Sequence, residues 1–355
     1  MRALMNKIVT AVGTPNIALV KYWGRRDASL NLPANSSFSL TLDENLHTTT
    51  SVLFSDKLDE DLLYVNGVKQ DLHDPENEKS AFTGKVIELM RAAARSKSRA
   101  LIVSKNSFPQ SAGFASSASG GAALVVAAAK ALGLEADRKQ LSIIARQISG
   151  SACRSVCGGF VVWRRGEKSD GTDSYAESVA PSSHWPDIVD VIATISPTKK
   201  KVSSSEGHRI TPETSELYRV RPEIAEGHVK RLISAVMQRD FRTLAEVTMK
   251  DSNSMHAVML DSFPPITYLN DLSHDVIYAV HELNSSEGEP IAAYTFDAGP
   301  NAHVITLKKN KERVVDLLKR IVGENIIVAG LGGGPRVAAG GEALIDQTTL
   351  KPKGI

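Results

Sequence analysis

The chain has little cysteine, almost no net charge and no long hydrophobic run, and each shortage removes a class of protein. Cys153 and Cys157 are its two cysteines, too few for a disulfide framework. Their i, i+4 spacing puts both on one helix face, a poor geometry for a bridge and the usual setting of buried thiols. No Cys or His grouping has zinc-ligand spacing, and nine scattered histidines argue no Ser-His-Asp triad. Forty-two basic residues against 40 acidic leave a formal charge of +2, which supplies no general basic field for nucleic acid. A membrane helix needs about 18 consecutive apolar residues and none occur. The N-terminal MRALMNKIVTAVG, interrupted by Lys7, lacks the apolar core of a signal peptide. A cytoplasmic protein without a membrane or nucleic-acid partner is expected, and any anion site must be local.

At 355 residues the chain exceeds what one core normally supports, so two lobes with a cleft are expected. The polar stretch Glu167–Trp185 offers a boundary, which gives lobes 1–185 and 186–355. Residues 8–20 and 36–54 read as strands, 78–97 as a helix, 100–104 as a strand, 116–132 and 137–148 as helices, and 158–164 as a strand. Beyond the boundary come a strand at 188–195, helices near 221–238, 241–260 and 265–285, strands on either side of Asp297, a helix at 309–322 and a strand at 325–330. Strands and helices mix without strict alternation, which predicts an α+β fold.

The strongest chemical signal is Phe108-Pro-Gln-Ser-Ala-Gly-Phe-Ala-Ser-Ser-Ala-Ser-Gly-Gly121, running into an Ala-rich helix. Small residues let backbone approach a ligand, and Ser116 and Ser117 fall where free N–H groups meet the positive end of the helix dipole. Such a loop suits a phosphate; equally, it suits a glycine-serine turn capping a buried helix. It has neither the Gly-Lys-Ser/Thr of a Walker A loop nor the spacing of a dinucleotide loop. A second glycine-rich turn, Gly332–Gly334, reads as structural.

Three other segments decide between these readings. Residues 15–42, PNIALVKYWGRRDASLNLPANSSFSLTL, resemble the N-terminal signature of the diphosphomevalonate decarboxylases of the GHMP kinase superfamily. The phosphate loop resembles that family's FPTAAGLASSAAG, Ser149–Gly159 resemble its SGSACRSxxGGF, and YTFDAGPNA at 294–302 its catalytic segment. TMKDSNSMH (248–256) and LDSFPPITYLN (260–270) extend the match. The resemblance implies a GHMP kinase fold, with an N-terminal ribosomal-protein S5-like lobe, a C-terminal α+β lobe and the cleft between them. It implies ATP-dependent decarboxylation of (R)-5-diphosphomevalonate to isopentenyl diphosphate through C3 phosphorylation, with Mg2+ and ATP, in a homodimer of the mevalonate pathway of isoprenoid biosynthesis.

Each chemical demand of that reaction has a candidate, and most have a plainer reading. Asp297, before a Gly-Pro turn, is the catalytic carboxylate if it is not a turn cap. Arg154, among small residues, would bind the substrate C1 carboxylate bidentately if it is not a surface arginine; Ser151 would donate to the diphosphate. Lys21 and Tyr22 lie with Trp23, Arg25 and Arg26 in a basic, aromatic cluster suited to a polyanion. The family's lysine near the reacting centre is Arg25 here, which makes Arg25 a catalytic candidate beside Asp297 and Arg154, with a different reach and donor geometry. Ser203, Ser204 and Ser205, after Lys199–Lys201, are diphosphate-binding candidates or a flexible loop. His208 replaces the family's methionine, is a substrate-binding candidate and would add a cation at mildly acidic pH. For the nucleotide the candidates are Asn106, Ser111, Gly113, Ser116 and Ser117, with Mg2+ reached through Ser116 or Ser117. Two other readings remain: decarboxylation of mevalonate 3,5-bisphosphate to isopentenyl phosphate without ATP, favoured by Arg25 and His208, and a non-catalytic GHMP-fold ligand-binding protein, which would be expected to lack Asp297 or Arg154.

Overall fold

Thr14-Pro15 breaks the first apolar run into two strands that enter different sheets. The computed structural model describes residues 7–74, 78–108, 116–195 and 201–353, without the side chains of 78, 79 and 116. In chain order the elements before residue 185 are β1 (Val9–Gly13), β2 (Asn16–Val20), β3 (Arg25–Asp27), β4 (Leu32–Pro33), β5 (Ser37–Thr41), β6 (Thr48–Ser55), β7 (Leu62–Val65), β8 (Val68–Gln70), α1 (Glu78–Ala93), β9 (Arg99–Asn106), α2 (Ser116–Ala131), α3 (Arg138–Arg146), α4 (Gly150–Ser155), β10 (Phe160–Trp163) and β11 (Ala176–Ala180). After residue 185 come β12 (Ile188–Ala193), α5 (Ser204–Thr214), α6 (Arg221–Gln238), α7 (Phe241–Leu260), α8 (Asp271–Glu287), β13 (Ala292–Phe296), β14 (Ala302–Leu307), α9 (Lys311–Val322), β15 (Ile326–Ala329) and β16 (Arg336–Val337).

A six-stranded sheet runs β16-β1-β6-β9-β7-β8, and four-stranded sheets run β11-β10-β5-β2 and β13-β14-β12-β15. Pairing is antiparallel except between β7 and β9. The 36–54 segment divides as the first run does: Asp43 and Asn45 turn the chain, so β5 joins β2 while β6 joins β1. β5 alternates Ser37, Phe38, Ser39, Leu40 and Thr41, and all five are buried. Its Phe38 and Leu40 face join the main core, while the small face leaves room for α4. That core runs unbroken from Ile17, Leu19 and Phe160 of the first lobe to Val191, Leu232, Val247 and Phe296 of the second, so the lobes share an interior.

α2 is apolar nearly all round, with Ala122, Ala123, Ala127 and Ala128 buried, as a helix enclosed by neighbours must be. Its alanines keep the cost of helix formation low and let β1, β6 and α4 approach closely.

The chain finally returns to its start. β16 pairs with β1, matching Ala11 to Val337 and Val12 to Arg336, and Ile345 is buried with Leu53, Leu101 and Val103. We propose a lobe division near residue 185, with residues 336–353 belonging to the first lobe rather than the second. Gly158 holds the crossing: a methyl group there would strike the backbone of Gly333 and Gly334. Gly158→Ala is therefore expected to cost about 2 kcal/mol, read as a lower urea midpoint with unchanged slope. An unchanged midpoint would show that the tail is held elsewhere.

Candidate active site

β2 ends at a lysine that the fold buries. Lys21 is 2% exposed, and its Nζ donates to Asp297 Oδ1 at 2.7 Å across the lobe boundary. A buried ammonium without a counter-ion is prohibitively costly, so this contact fixes both residues. Asp297 follows β13, whose five residues are all buried, yet its own side chain is 52% exposed. Lys21 holds one carboxylate oxygen, and about half of the side chain stays open to solvent. Burial pushes its pKa up, but the charges of Lys21, His303 and Arg154 and the Lys21 hydrogen bond outweigh burial and hold it at about 2. Burial lowers the Lys21 value, and Asp297 opposes that shift. The carboxylate is ionised at neutral pH, and its side chain remains half exposed.

The Lys21 backbone is held as firmly as its side chain. Its N–H donates to Asp251 Oδ1 at 2.7 Å, and its carbonyl accepts from Asn35 Nδ2 at 3.0 Å. Asp251 also accepts from Arg221 Nη2 at 2.8 Å, and its Oδ2 lies 2.8 Å from His228 Nδ1. Asp251 and Arg221 are 0% and 1% exposed. Sequence reasoning missed both. The available signal was a carboxylate in register with Leu244, Thr248 and Met255, the buried face of α7. Asp251→Asn is expected to leave Arg221 buried without its counter-charge and to destabilise the protein by about 3 kcal/mol. A urea midpoint within error of the parent's would refute this.

Arg154 lies on α4, whose N-cap Ser149 accepts the Ala152 N–H at 3.0 Å. It is 5% exposed. Nε donates to Asn16 Oδ1 at 3.1 Å and Nη1 to Ser37 Oγ at 3.0 Å. Trp163 lies beneath the guanidinium, its ring centroid at 5.9 Å. Among the described residues no carboxylate comes within salt-bridge distance of it, and burial lowers its pKa. A buried cation with only neutral partners is a site prepared for an anion. Asn16, also missed, orients it by donating to the Ser151 carbonyl at 2.9 Å and Ser155 Oγ at 2.7 Å. Ser151 Oγ sits 3.1 Å from Ser149 Oγ at the start of the same helix.

A second group gathers around Tyr22. Arg25 Nε donates to the Tyr22 hydroxyl at 3.0 Å and Nη2 to Ser205 Oγ at 3.3 Å, while Tyr22 donates to Asn31 Oδ1 at 2.9 Å. The serine stretch is helical rather than a loop: Ser203 caps α5 by accepting the Glu206 N–H at 3.1 Å, and Ser204 and Ser205 form its first turn. Gly207 permits this, since a Cβ there would lie 2.6 Å from the Trp23 ring. The reading of His208 as an added cation is corrected. Burial, reinforced by Arg25, lowers its pKa well below the usual range, and Nδ1 accepts the Gly24 N–H at 2.9 Å. It is a neutral plate stacked on Tyr22 at 4.3 Å and tilted against Trp23 at 4.4 Å. Arg26 points away, donating to the carbonyls of Arg165 and Lys168.

Ser111 and Gly113 of the phosphate loop, with Lys199 and Lys200, lie outside the described residues. The described part is the start of α2, which has no acidic residue in its first turn, as a phosphate site requires. Beside it the Thr48 hydroxyl donates to Asn106 Oδ1 at 2.8 Å and meets Ser119 Oγ at 2.6 Å. Among the described residues no cluster of three or more His, Cys, Asp or Glu offers a metal site. Two surface cavities, about 610 and 710 Å³, lie around Lys308 and around Tyr175, and no candidate site residue lines either. Cys153 and Cys157 are buried free thiols whose pKa values burial pushes up to about 12 and about 11, which makes them inert.

Residues 13–176 match the diphosphomevalonate decarboxylase-like N-terminal domain, and residues 190–337 the mevalonate 5-diphosphate decarboxylase C-terminal domain. The diphosphomevalonate decarboxylase of Aspergillus fumigatus is 45% identical over 328 residues, 89% of this chain and 81% of that protein. The mevalonate diphosphate decarboxylase of Trypanosoma brucei superposes with a TM-score of 0.86 at 31% identity, covering 96% of this chain and all of that one. MDDEF in complex with MVAPP, AMPPCP and magnesium gives a TM-score of 0.84 at 35% identity over 93% and 98% of the two chains. Two consecutive domain matches, relatives alike over most of their length and a GHMP kinase fold shared with solved decarboxylases agree: this chain belongs to the diphosphomevalonate decarboxylase family of carboxy-lyases.

Proposed function

We propose that the chain decarboxylates (R)-5-diphosphomevalonate with ATP, phosphorylating the C3 hydroxyl before carbon dioxide leaves. One observation carries this reading: an ionised, half-exposed Asp297 lies within electrostatic reach of a buried Arg154 that has no carboxylate in salt-bridge distance among the described residues. The first suits a hydroxyl and the second a carboxylate, the two groups at opposite ends of the bond set that must break. The MVAPP and AMPPCP bound in the MDDEF complex support the choice of substrates, AMPPCP being a non-hydrolysable ATP analogue.

In this account Asp297 accepts the hydrogen bond of the C3 hydroxyl and aims its oxygen at the γ-phosphorus. A carboxylate held at about 2 is a weak base. In a loose phosphoryl-transfer transition state the hydroxyl keeps its proton until late, so orientation matters more than basicity. The C3 oxygen bonds to phosphorus, ADP departs, and Asp297 takes the proton. The C3–O bond then breaks with its electron pair leaving on phosphate, while the C1–C2 pair becomes the C2=C3 double bond and releases CO2. Arg154 holds the C1 carboxylate until that bond breaks. Lys21 keeps Asp297 ionised, and Tyr22, Arg25, Ser151 and Ser203–Ser205 bind the diphosphate. The phosphate loop and the start of α2 hold the nucleotide, with Asn106 beside them. Mg2+, held by the nucleotide phosphates with a hydroxyl from Ser116 or Ser117, would neutralise developing phosphoryl charge.

With His208 neutral, the ATP-independent reading loses one of its two added charges. Supplying 5-diphosphomevalonate, ATP and Mg2+ should release CO2 and ADP in equal amounts. Turnover confined to mevalonate 3,5-bisphosphate without ATP would refute the proposal.

A further inference from the structure

β2 and β13 are outermost strands of two different four-stranded sheets, and all of their residues are buried. An outermost strand turns N–H groups away from its ladder, and burial denies them water, so each needs another acceptor. Lys21 directly follows β2, and Phe296 ends β13 one residue before Asp297. Among the described residues no ladder joins these two strands, and the Thr295 hydroxyl reaches the Ala18 carbonyl only at 3.5 Å. The 2.7 Å contact between Lys21 and Asp297 therefore needs a third element to hold its two ends in register.

α7 packs on both strands, and two consecutive residues of it take up the two N–H groups. Asp251 Oδ1 accepts the Lys21 N–H at 2.7 Å, and Ser252 Oγ accepts the Phe296 N–H at 3.1 Å. Both side chains are buried, so neither is open to a substrate. Asp251 is itself held: Oδ1 also accepts from Arg221 Nη2, and Oδ2 lies 2.8 Å from His228 Nδ1. The same Arg221 nitrogen reaches the Lys21 carbonyl at 3.4 Å, so α6 and α7 grip Lys21 at both its N–H and its carbonyl. Adjacent residues of a helix keep a fixed rise and rotation. Polar side chains on the buried face of a helix cost stability unless they are bonded; here the bonds go to the main chain of the two segments that carry Lys21 and Asp297.

We propose that Asp251 and Ser252 are positioning residues: as neighbours on one helix they set the spacing between the main chains of Lys21 and Asp297, and with it the direction in which the Asp297 carboxylate meets the substrate hydroxyl. Phosphoryl transfer makes this spacing matter, because the carboxylate acts mainly by orientation, and an error of about 1 Å in a reacting group costs about a hundredfold in rate. Lys21 and Asp297 lie on strands of different sheets, so neither sheet can supply that precision alone. This inference rests on Asp297 being the reacting carboxylate.

The test is a mutant cycle read by steady-state turnover of 5-diphosphomevalonate with ATP and Mg2+. Ser252→Ala removes the acceptor, and Ser252→Cys nearly keeps the volume while offering only a weakly accepting sulfur. Each should lower kcat by about 10- to 100-fold and leave KM for the diphosphate substrate unchanged. In the Asp297→Asn background Ser252→Ala should lower kcat by less than about twofold, because a side chain that acts through Asp297 has nothing left to aim. Asp251→Asn, assayed well below its unfolding temperature, should show the same coupling. Parent-like kcat in both serine variants would overturn the inference. So would recovery by cysteine, which assigns the loss to packing. An equal loss in the two backgrounds would also overturn it, since a reduced folded fraction multiplies through any background. Failure of the underlying reading looks different: Asp297→Asn alone would then turn over normally.

Discussion

Asp297→Asn is expected to lower kcat by about a thousandfold while leaving KM for the diphosphate substrate nearly unchanged. Asparagine keeps the shape and one acceptor oxygen but loses the charge that orients and finally deprotonates the C3 hydroxyl. It also leaves Lys21 without the counter-ion 2.7 Å away. The same substitution has a pH signature in stability. Asp297 titrates at about 2 in the folded protein against 3.8 ordinarily, so its depressed value contributes stability that is present above about pH 4 and is lost as pH falls toward 2. The asparagine variant should lack that part of the acid-side decline. Near-parent turnover would remove Asp297 from the chemistry.

Arg154→Met is expected to move activity and stability in opposite directions. The guanidinium is buried, is bonded to Asn16 and Ser37, and has no carboxylate partner among the described residues. Losing its hold on the substrate C1 carboxylate should reduce kcat/KM by about a thousandfold, the scale of a desolvated, bidentate charge contact. Removing an unpaired buried cation in favour of an apolar chain of similar length should leave stability unchanged or raise it by about 1–2 kcal/mol. Lysine should rescue little, since it lacks the planar fork. Loss of stability in step with loss of activity would mean that Arg154 is a structural residue.

Much of the site was legible because its residues are out of place locally. Arg154 stands among glycine, serine and alanine, and Asp297 ends a strand in which every residue is apolar or small. Those contrasts survive in one dimension. What was not legible depends on contacts far apart in sequence. Asp251 reads as an ordinary helical aspartate until Lys21, 230 residues away, is seen to donate to it. His208 reads as a cation until the ring is found stacked between Tyr22 and Trp23 with its nitrogen already occupied. The pairing of β16 with β1 joins the two ends of the chain, and no local pattern announces it.

The fold followed the same rule. Helices with strong periodicity, α6, α7 and α9, lie within two residues of their expected spans. The third long helix of the second lobe, expected from residue 265, starts at Asp271, because Asn270 caps it by accepting the Ser273 N–H. The first long strand, 8–20, divides at Thr14-Pro15. Proline cannot donate to a ladder and bends the path, a cue that the apolar composition on either side obscured. α5 was hidden because its serines suggest a loop, although Ser203 followed by Glu206 carries the pattern of a helix start.

The central claim is that the C3 oxygen of the substrate leaves on the γ-phosphate of ATP. The direct measurement uses 5-diphosphomevalonate labelled with oxygen-18 at the C3 hydroxyl, turned over with ATP and Mg2+, and the mass of the inorganic phosphate released. The account predicts one heavy oxygen in each phosphate, because the C3–O bond breaks after that oxygen has joined phosphorus. Unlabelled phosphate, formed while CO2 is still released, would mean that ATP is hydrolysed by water and that the C3 oxygen departs by another route, which would contradict the account.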